Sequence, residues 1–142
     1  MKKRLLVKSG VDVIDKYDDL PGHMVFALLI NTIYQAAIGY MYISYPSTIV
    51  SEKTEATLAL ARNAGYGAIA LSILSLTILN IHDEHKALKG GLITLGVYHV
   101  AMTSGQTVNF TQGQTPLLYV VIHAILGLYF TIMALRLLKL LK

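Results

Sequence analysis

Four long apolar stretches, separated by short polar intervals, dominate the sequence. They lie at 22–44, 56–81, 88–105 and 116–138. Each is close to the ~20 residues that an α-helix needs to cross the hydrocarbon of a bilayer. The polar intervals are 45–55, the run His82-Asp83-Glu84-His85-Lys86, and a Gln-, Thr- and Gly-rich segment at 106–115. Punctuation supports these limits. Pro21 follows Asp18 and Asp19, Pro46 follows the first stretch, Gly90-Gly91 opens the third and Pro116 opens the fourth. Carboxylates cap free helical amides and proline fits a first turn, so these positions predict helix starts. Ahead of the first stretch, residues 2–17 predict a short amphipathic helix. Leu6, Val13, Ile14 and Tyr17 share one face, with Lys8, Asp12, Asp15 and Lys16 elsewhere. Residues 1–20 therefore read as a cytoplasmic segment lying on the membrane surface. The predicted fold is all-α: an integral membrane four-helix bundle in a single domain covering 1–142.

Composition agrees. The chain is 54% hydrophobic with 14% charged residues, against roughly 25% charged in an average soluble domain. Cysteine is absent, which excludes disulfides, thiolate catalysis and thiolate metal sites. The net charge of +4 does not point to nucleic acid, because the basic residues flank the apolar stretches. Membrane lipids are the expected partner. Lys2, Lys3, Arg4, Lys8, Lys16, Lys86, Lys89, Arg136, Lys139 and Lys142 all fall on one side of a four-span topology, and only Lys53 lies in a loop on the other. The positive-inside rule then places both termini and the middle loop in the cytoplasm. A bacterial or archaeal cell membrane, the inner membrane where there are two, is the expected location.

Candidate chemistry lies in the polar residues that hydrocarbon should reject. Asn31 and Gln35 sit one turn apart in the first span, Arg62, Asn63 and Tyr66 in the second, His99, Thr103 and Gln106 along the third, and His123 in the fourth. At 1.5 Å rise per residue, Gln35 and His99 lie roughly 20 and 17 Å from the inner ends of their spans. Arg62 and His123 lie roughly 9 and 10 Å from the outer ends. In a core of about 30 Å these groups share one level. These nine residues are therefore the expected lining of one polar pocket, with no catalytic residue and no metal among them. Arg62 is the only charge more than two residues inside a span, at a cost of about 2.5 kcal/mol or more unless it faces the interior, snorkels or finds partners. The simpler alternative is that these groups only join helices, at about 0.6 kcal/mol each.

Other features carry less chemistry. His99 and His123 at matching depth suggest axial ligands of haem b, with Gly96 and Gly127 making room for a macrocycle. His82-Asp83-Glu84-His85 is too compact for a closed metal site and reads as a solvated turn. Gly39, Gly65, Gly96 and Gly127 read as points of close helix approach. Ser72, Ser75 and Thr77 are expected to bond back to their own helix.

The segment Leu60-Ala61-Arg62-Asn63-Ala64-Gly65, followed by an apolar run to Asn80-Ile81-His82, resembles the second helix of the four-helix sterol-biosynthesis scaffold proteins. Tyr98-His99 is similar to their Gly-His-Phe position, and Asn31-Thr32 also fits. The layout more loosely resembles DoxX-like four-helix membrane proteins. The sequence departs from the scaffold pattern at Thr103, where that family tends to carry a glutamate, and in its missing aromatic positions. The resemblance implies a non-catalytic membrane protein that holds enzymes or lipid-like molecules, with Arg62 and His99 at its polar centre. The expected function is the binding of a lipid-like, isoprenoid or quinone-like amphipathic molecule, or the scaffolding of membrane enzymes, with homo-oligomerisation or a membrane enzyme partner. Alternatives are a b-type cytochrome subunit using His99 and His123, and a small oligomeric transporter.

Overall fold

The computed structural model describes residues 20–81 and 85–138, together with the side chains of these except that of His85. The amphipathic helix expected at 2–17 and most of the 82–86 turn lie outside the described residues. The described chain is all-α, with α1 Gly22–Ser44, one-turn α2 Pro46–Ile49, α3 Glu55–Asn80, α4 His85–Thr111 and α5 Leu117–Leu137. The described residues contain no strand.

Local sequence explains the limits. Pro21 and Pro116 stand at the N-caps of α1 and α5. Thr54 caps α3, its hydroxyl accepting from the Thr57 amide at 3.2 Å. Pro46, which has no amide hydrogen to continue α1, starts α2 instead. The third long helix runs further than its apolar stretch. It continues through the polar residues 106–111, where Thr107 bonds back to the Thr103 carbonyl, and stops before Gly113 at φ 71°. A left-handed residue there favours glycine and turns the chain toward α5.

Three helices, α1, α3 and α5, are long and apolar enough to cross a membrane. The 27-residue α4 has length to spare, but Lys86, Lys89, His99 and several hydroxyl residues dilute its apolar character.

The four long helices form two closely packed pairs, α1 with α3 and α4 with α5. Within each pair, contacts advance along one helix as they retreat along the other, so the partners are antiparallel. Gly39 approaches Gly65 and Asn31 reaches Ser75 in the first pair; Gly96 meets Thr131 and Gly127 meets His99 in the second. A Cβ on Gly39 would lie 2.8 Å from the Gly65 carbonyl oxygen, and one on Gly127 would lie 3.1 Å from the Val100 amide nitrogen. Glycine is therefore the condition for backbone contact in both pairs, as expected from the sequence.

One apolar core joins the pairs. It includes Met24 and Leu28 of α1, Ile78 of α3, Leu92 and Leu95 of α4, and Phe130 and Met133 of α5. This core fills the half of the molecule nearer the C-terminal end of α3 and the N-terminal end of α4, called here the lower half. The α2 connection and the 112–116 connection mark the upper end.

Candidate functional site

Above the apolar core, the interior becomes polar. Asn31, one turn beyond Ala27 and Leu28 on the buried stripe of α1, is fully buried. Its Nδ2 donates to Ser75 Oγ of α3 at 2.7 Å, and its Oδ1 accepts from His99 Nε2 of α4 at 2.8 Å. His99 Nδ1 lies 2.8 Å from His123 Nδ1 of α5. Ser75, Asn31, His99 and His123 thus form one hydrogen-bonded chain that takes a side chain from each long helix. Ser75 also donates to the Leu71 carbonyl. Phe130 floors the group, its ring centroid 5.9 Å from that of His99.

Gln35 lies one turn above Asn31 and is 1% exposed, yet its Nε2 has no hydrogen-bond partner. The Tyr98 side chain stands beside the Gln35 amide, without a bond of normal geometry to Nε2. Around them are Tyr34 and Tyr42 of α1 and Tyr119 of α5. With Tyr98, these half-buried residues lie within electrostatic range of one another. Tyr34 and Tyr98 each meet the His123 ring edge-on, at centroid distances of 5.7 and 6.0 Å.

The nine residues singled out from the sequence separate into three sets. Asn31, Gln35, His99 and His123 are all buried, Asn31 with the two histidines in one bonded chain and Gln35 one turn above it, whereas Arg62, which the depth calculation put at the same level as Gln35 and the histidines, is not among them. Arg62, Asn63 and Tyr66 do not join them and stand exposed on α3. The reason is the small-residue stripe beside them: Ala61, Gly65, Ala68, Ser72 and Ser75 face the interior. Arg62 is one residue, about 100°, around the helix from Ala61. Small side chains let the helices approach, and that packing sets the rotation of α3. Thr103 and Gln106 form the third set. Thr103 donates to the His99 carbonyl of its own helix, and Gln106 accepts from Thr115 at the upper connection. Both are half-buried, away from the central chain of bonds.

The hydroxyl expectations are also corrected in part. Thr77 bonds back to the Ile73 carbonyl of its own helix, but Ser72 crosses to the Thr32 carbonyl of α1 at 3.0 Å. Ser75 does both, bonding within α3 and accepting from Asn31. Sequence reasoning left Ser75, Tyr34 and Tyr98 out of the site. A signal was present for the tyrosines: each directly precedes a buried polar residue, Gln35 or His99, and a tyrosine within an apolar span needs a partner for its hydroxyl.

Haem does not fit between these histidines. The imidazoles touch directly through their Nδ1 atoms, and the open side of Gly127 is filled by the His99 and Val100 backbone. The side of Gly96 is filled by Thr131. Neither iron nor a macrocycle has space in this packing. Among the described residues, no group of three or more metal-ligating His, Asp or Glu side chains gathers. Comparisons of the chain with protein-family models, curated proteins and solved structures gave no match.

Proposed function

We propose that this chain is a four-span integral membrane protein that binds an amphipathic molecule by its polar head at the tyrosine-lined upper end of the Asn31–His99–His123 chain. The observation that carries this reading is the Gln35 amide: 1% exposed, with no hydrogen-bond partner for Nε2, and beside the half-buried Tyr98, whose ring meets that of His123. A buried donor without a partner costs about 1–3 kcal/mol. A polar group at the edge of an apolar site fixes a ligand's orientation while its tail lies among apolar side chains. The four-span reading takes α4 as the fourth crossing, because its buried Leu92, Leu95 and His99 share one interior with the other long helices. The lysine and arginine pattern supports cytoplasmic termini in a cell membrane.

Mass spectrometry after gentle detergent extraction tests the binding. The parent should retain an amphipathic molecule at near one per chain, and a Tyr34→Phe/Tyr119→Phe variant should lose most of it. Equal retention by both, or none by either, would refute the site. Reporter fusions at Lys142 and within 112–116 test the topology, and extracytoplasmic activity at Lys142 would sink it.

A scaffold is a second reading, favoured by the outward face of α3. Arg62, Asn63 and Tyr66 are exposed there within an apolar span. Polar groups facing lipid are costly, and a partner helix would cover them. Photocrosslinking from position 63 in native membranes would yield only lipid adducts if no protein partner exists.

A further inference from the structure

Hydrogen accounting at the upper end of the polar chain narrows the chemistry of the head group; the argument rests on the binding reading above. The Asn31 amide oxygen can only accept, so His99 Nε2 carries a hydrogen. With both imidazoles neutral, the two facing Nδ1 atoms share one hydrogen, which His123 donates to His99. His123 Nε2 then keeps its lone pair. Nearby, Gln35 Nε2 brings hydrogens that nothing accepts. The tyrosine hydroxyls can donate or accept. The lower links of the chain are paired, so unmet capacity lies at the upper end.

Formal charge is missing from the same place. Among the described residues, no Lys, Arg, Asp or Glu is buried. Arg62 faces outward on α3, and Glu52, Lys53 and Glu55 stand exposed around the upper connection. Lys86, Lys89 and Arg136 belong to the lower end. A carboxylate or phosphate brought to Gln35 would leave water without meeting a cation, at an effective penalty of several kcal/mol. A neutral oxygen would face no such penalty and would accept from the Gln35 amide.

The Tyr34–His123 contact lies on the seam between α1 and α5. Each helix packs closely within its own pair, whereas the α1 and α5 backbones barely approach each other. Among the described residues, two side-chain pairs meet across the seam through a hydrogen bond or a ring contact. His23 Nδ1 meets the Tyr129 hydroxyl at 2.7 Å toward the lower end, and Tyr34 meets His123 above. The lower end is therefore latched by a hydrogen bond, while the upper end is lined by tyrosine rings.

We infer that the upper α1–α5 seam admits the uncharged, oxygen-bearing head of an amphipathic molecule, such as a ketone, ester or alcohol, and discriminates against carboxylates and phosphates on the same tail. The test uses the full chain in phosphatidylcholine vesicles. The probes are monomyristoylglycerol, the methyl ketone of equal chain length, and myristate at about pH 9, well above the ordinary carboxyl range. The chain has nine tyrosines and no tryptophan, so tyrosine emission reports binding without interference. The two neutral probes should bind at least about tenfold more tightly than myristate, and Gln35→Leu should weaken them about tenfold, or ~1.4 kcal/mol. Tyr98→Phe, which keeps the ring, serves as the second variant should Gln35→Leu fail to insert, and should also weaken the neutral probes. Myristate binding as tightly as the neutral probes, or unchanged ketone affinity in the variants, would overturn the inference. Tight myristate binding that is lost with Gln35→Leu would leave the site standing and remove only the head-group assignment. No binding of any probe would bring down both readings.

Discussion

The two halves of the interior are built on different physics. In the lower half, Met24, Leu28, Ile78, Leu92, Leu95 and Phe130 are each no more than 4% exposed and meet through apolar surface alone. In the upper half, Asn31, Ser75, His99 and His123 are equally buried but meet through directed hydrogen bonds. The lower half gains its stability from close packing, which allows many near-equivalent arrangements when lipid tails are as apolar as leucine. The upper half has few alternatives, because each donor must find a particular acceptor. The polar chain thus sets the alignment of the two helix pairs, while the apolar core supplies most of the contact. The contrast also weighs against a continuous polar path through the molecule. The bonded chain ends on Phe130 and the packed leucines below it.

The largest expected effect tests the packed half. Phe130 is fully buried, and Phe130→Ala should destabilise the protein by about 3 kcal/mol or more. Thermal unfolding in nanodiscs would measure it. A loss below about 1 kcal/mol would mean that the lower core collapses around the cavity and is not rigid.

Asn31→Leu should cost about 2 kcal/mol, since it removes two interhelical bonds and leaves the His99 Nε2 hydrogen without an acceptor. The same unfolding measurement applies, and crosslinking between α1 and α4 should also become less specific. A variant as stable and as uniquely aligned as the parent would remove the directing role assigned to the upper half.

Gln35→Leu sharpens the contrast because its sign reverses. Replacing a buried donor that has no partner should leave stability unchanged or raise it by up to about 1 kcal/mol, while ligand retention falls. A variant that loses stability along with binding would mark Gln35 as a member of the structural network instead. The smallest effect is expected at Arg62, which lies outside both regions. Arg62→Leu should change stability by less than about 0.5 kcal/mol and leave ligand retention at the parental level. Lost retention in that variant would place Arg62 in the binding site and require α3 to rotate.

Much of this was legible along the chain. The apolar stretches at 22–44, 56–81 and 116–138 match α1, α3 and α5 to within a residue at either end, because length and proline placement mark helix limits directly. The third long helix extended past its stretch because threonine and glutamine do not break a helix, and Thr107 bonds back to the Thr103 carbonyl. No apolar period reports that continuation. Rise per residue put Gln35, His99 and His123 at a common depth, but it put Arg62 there too, because rise carries no information about helix rotation.

The sequence by itself determined the all-α class and three helices with the length and apolar character to cross a membrane. Those properties follow from local spacing and composition, which no distant contact alters. Tertiary structure alone decided which polar residues face inward. Asn31 and Arg62 look alike to a hydropathy pattern, yet one is fully buried and the other exposed. The difference arises because Gly65 must meet Gly39 for α1 and α3 to touch, and that contact turns Ala61 inward and Arg62 out. Helix rotation is set by the partner's shape, and the partner's shape is not written in the helix that rotates.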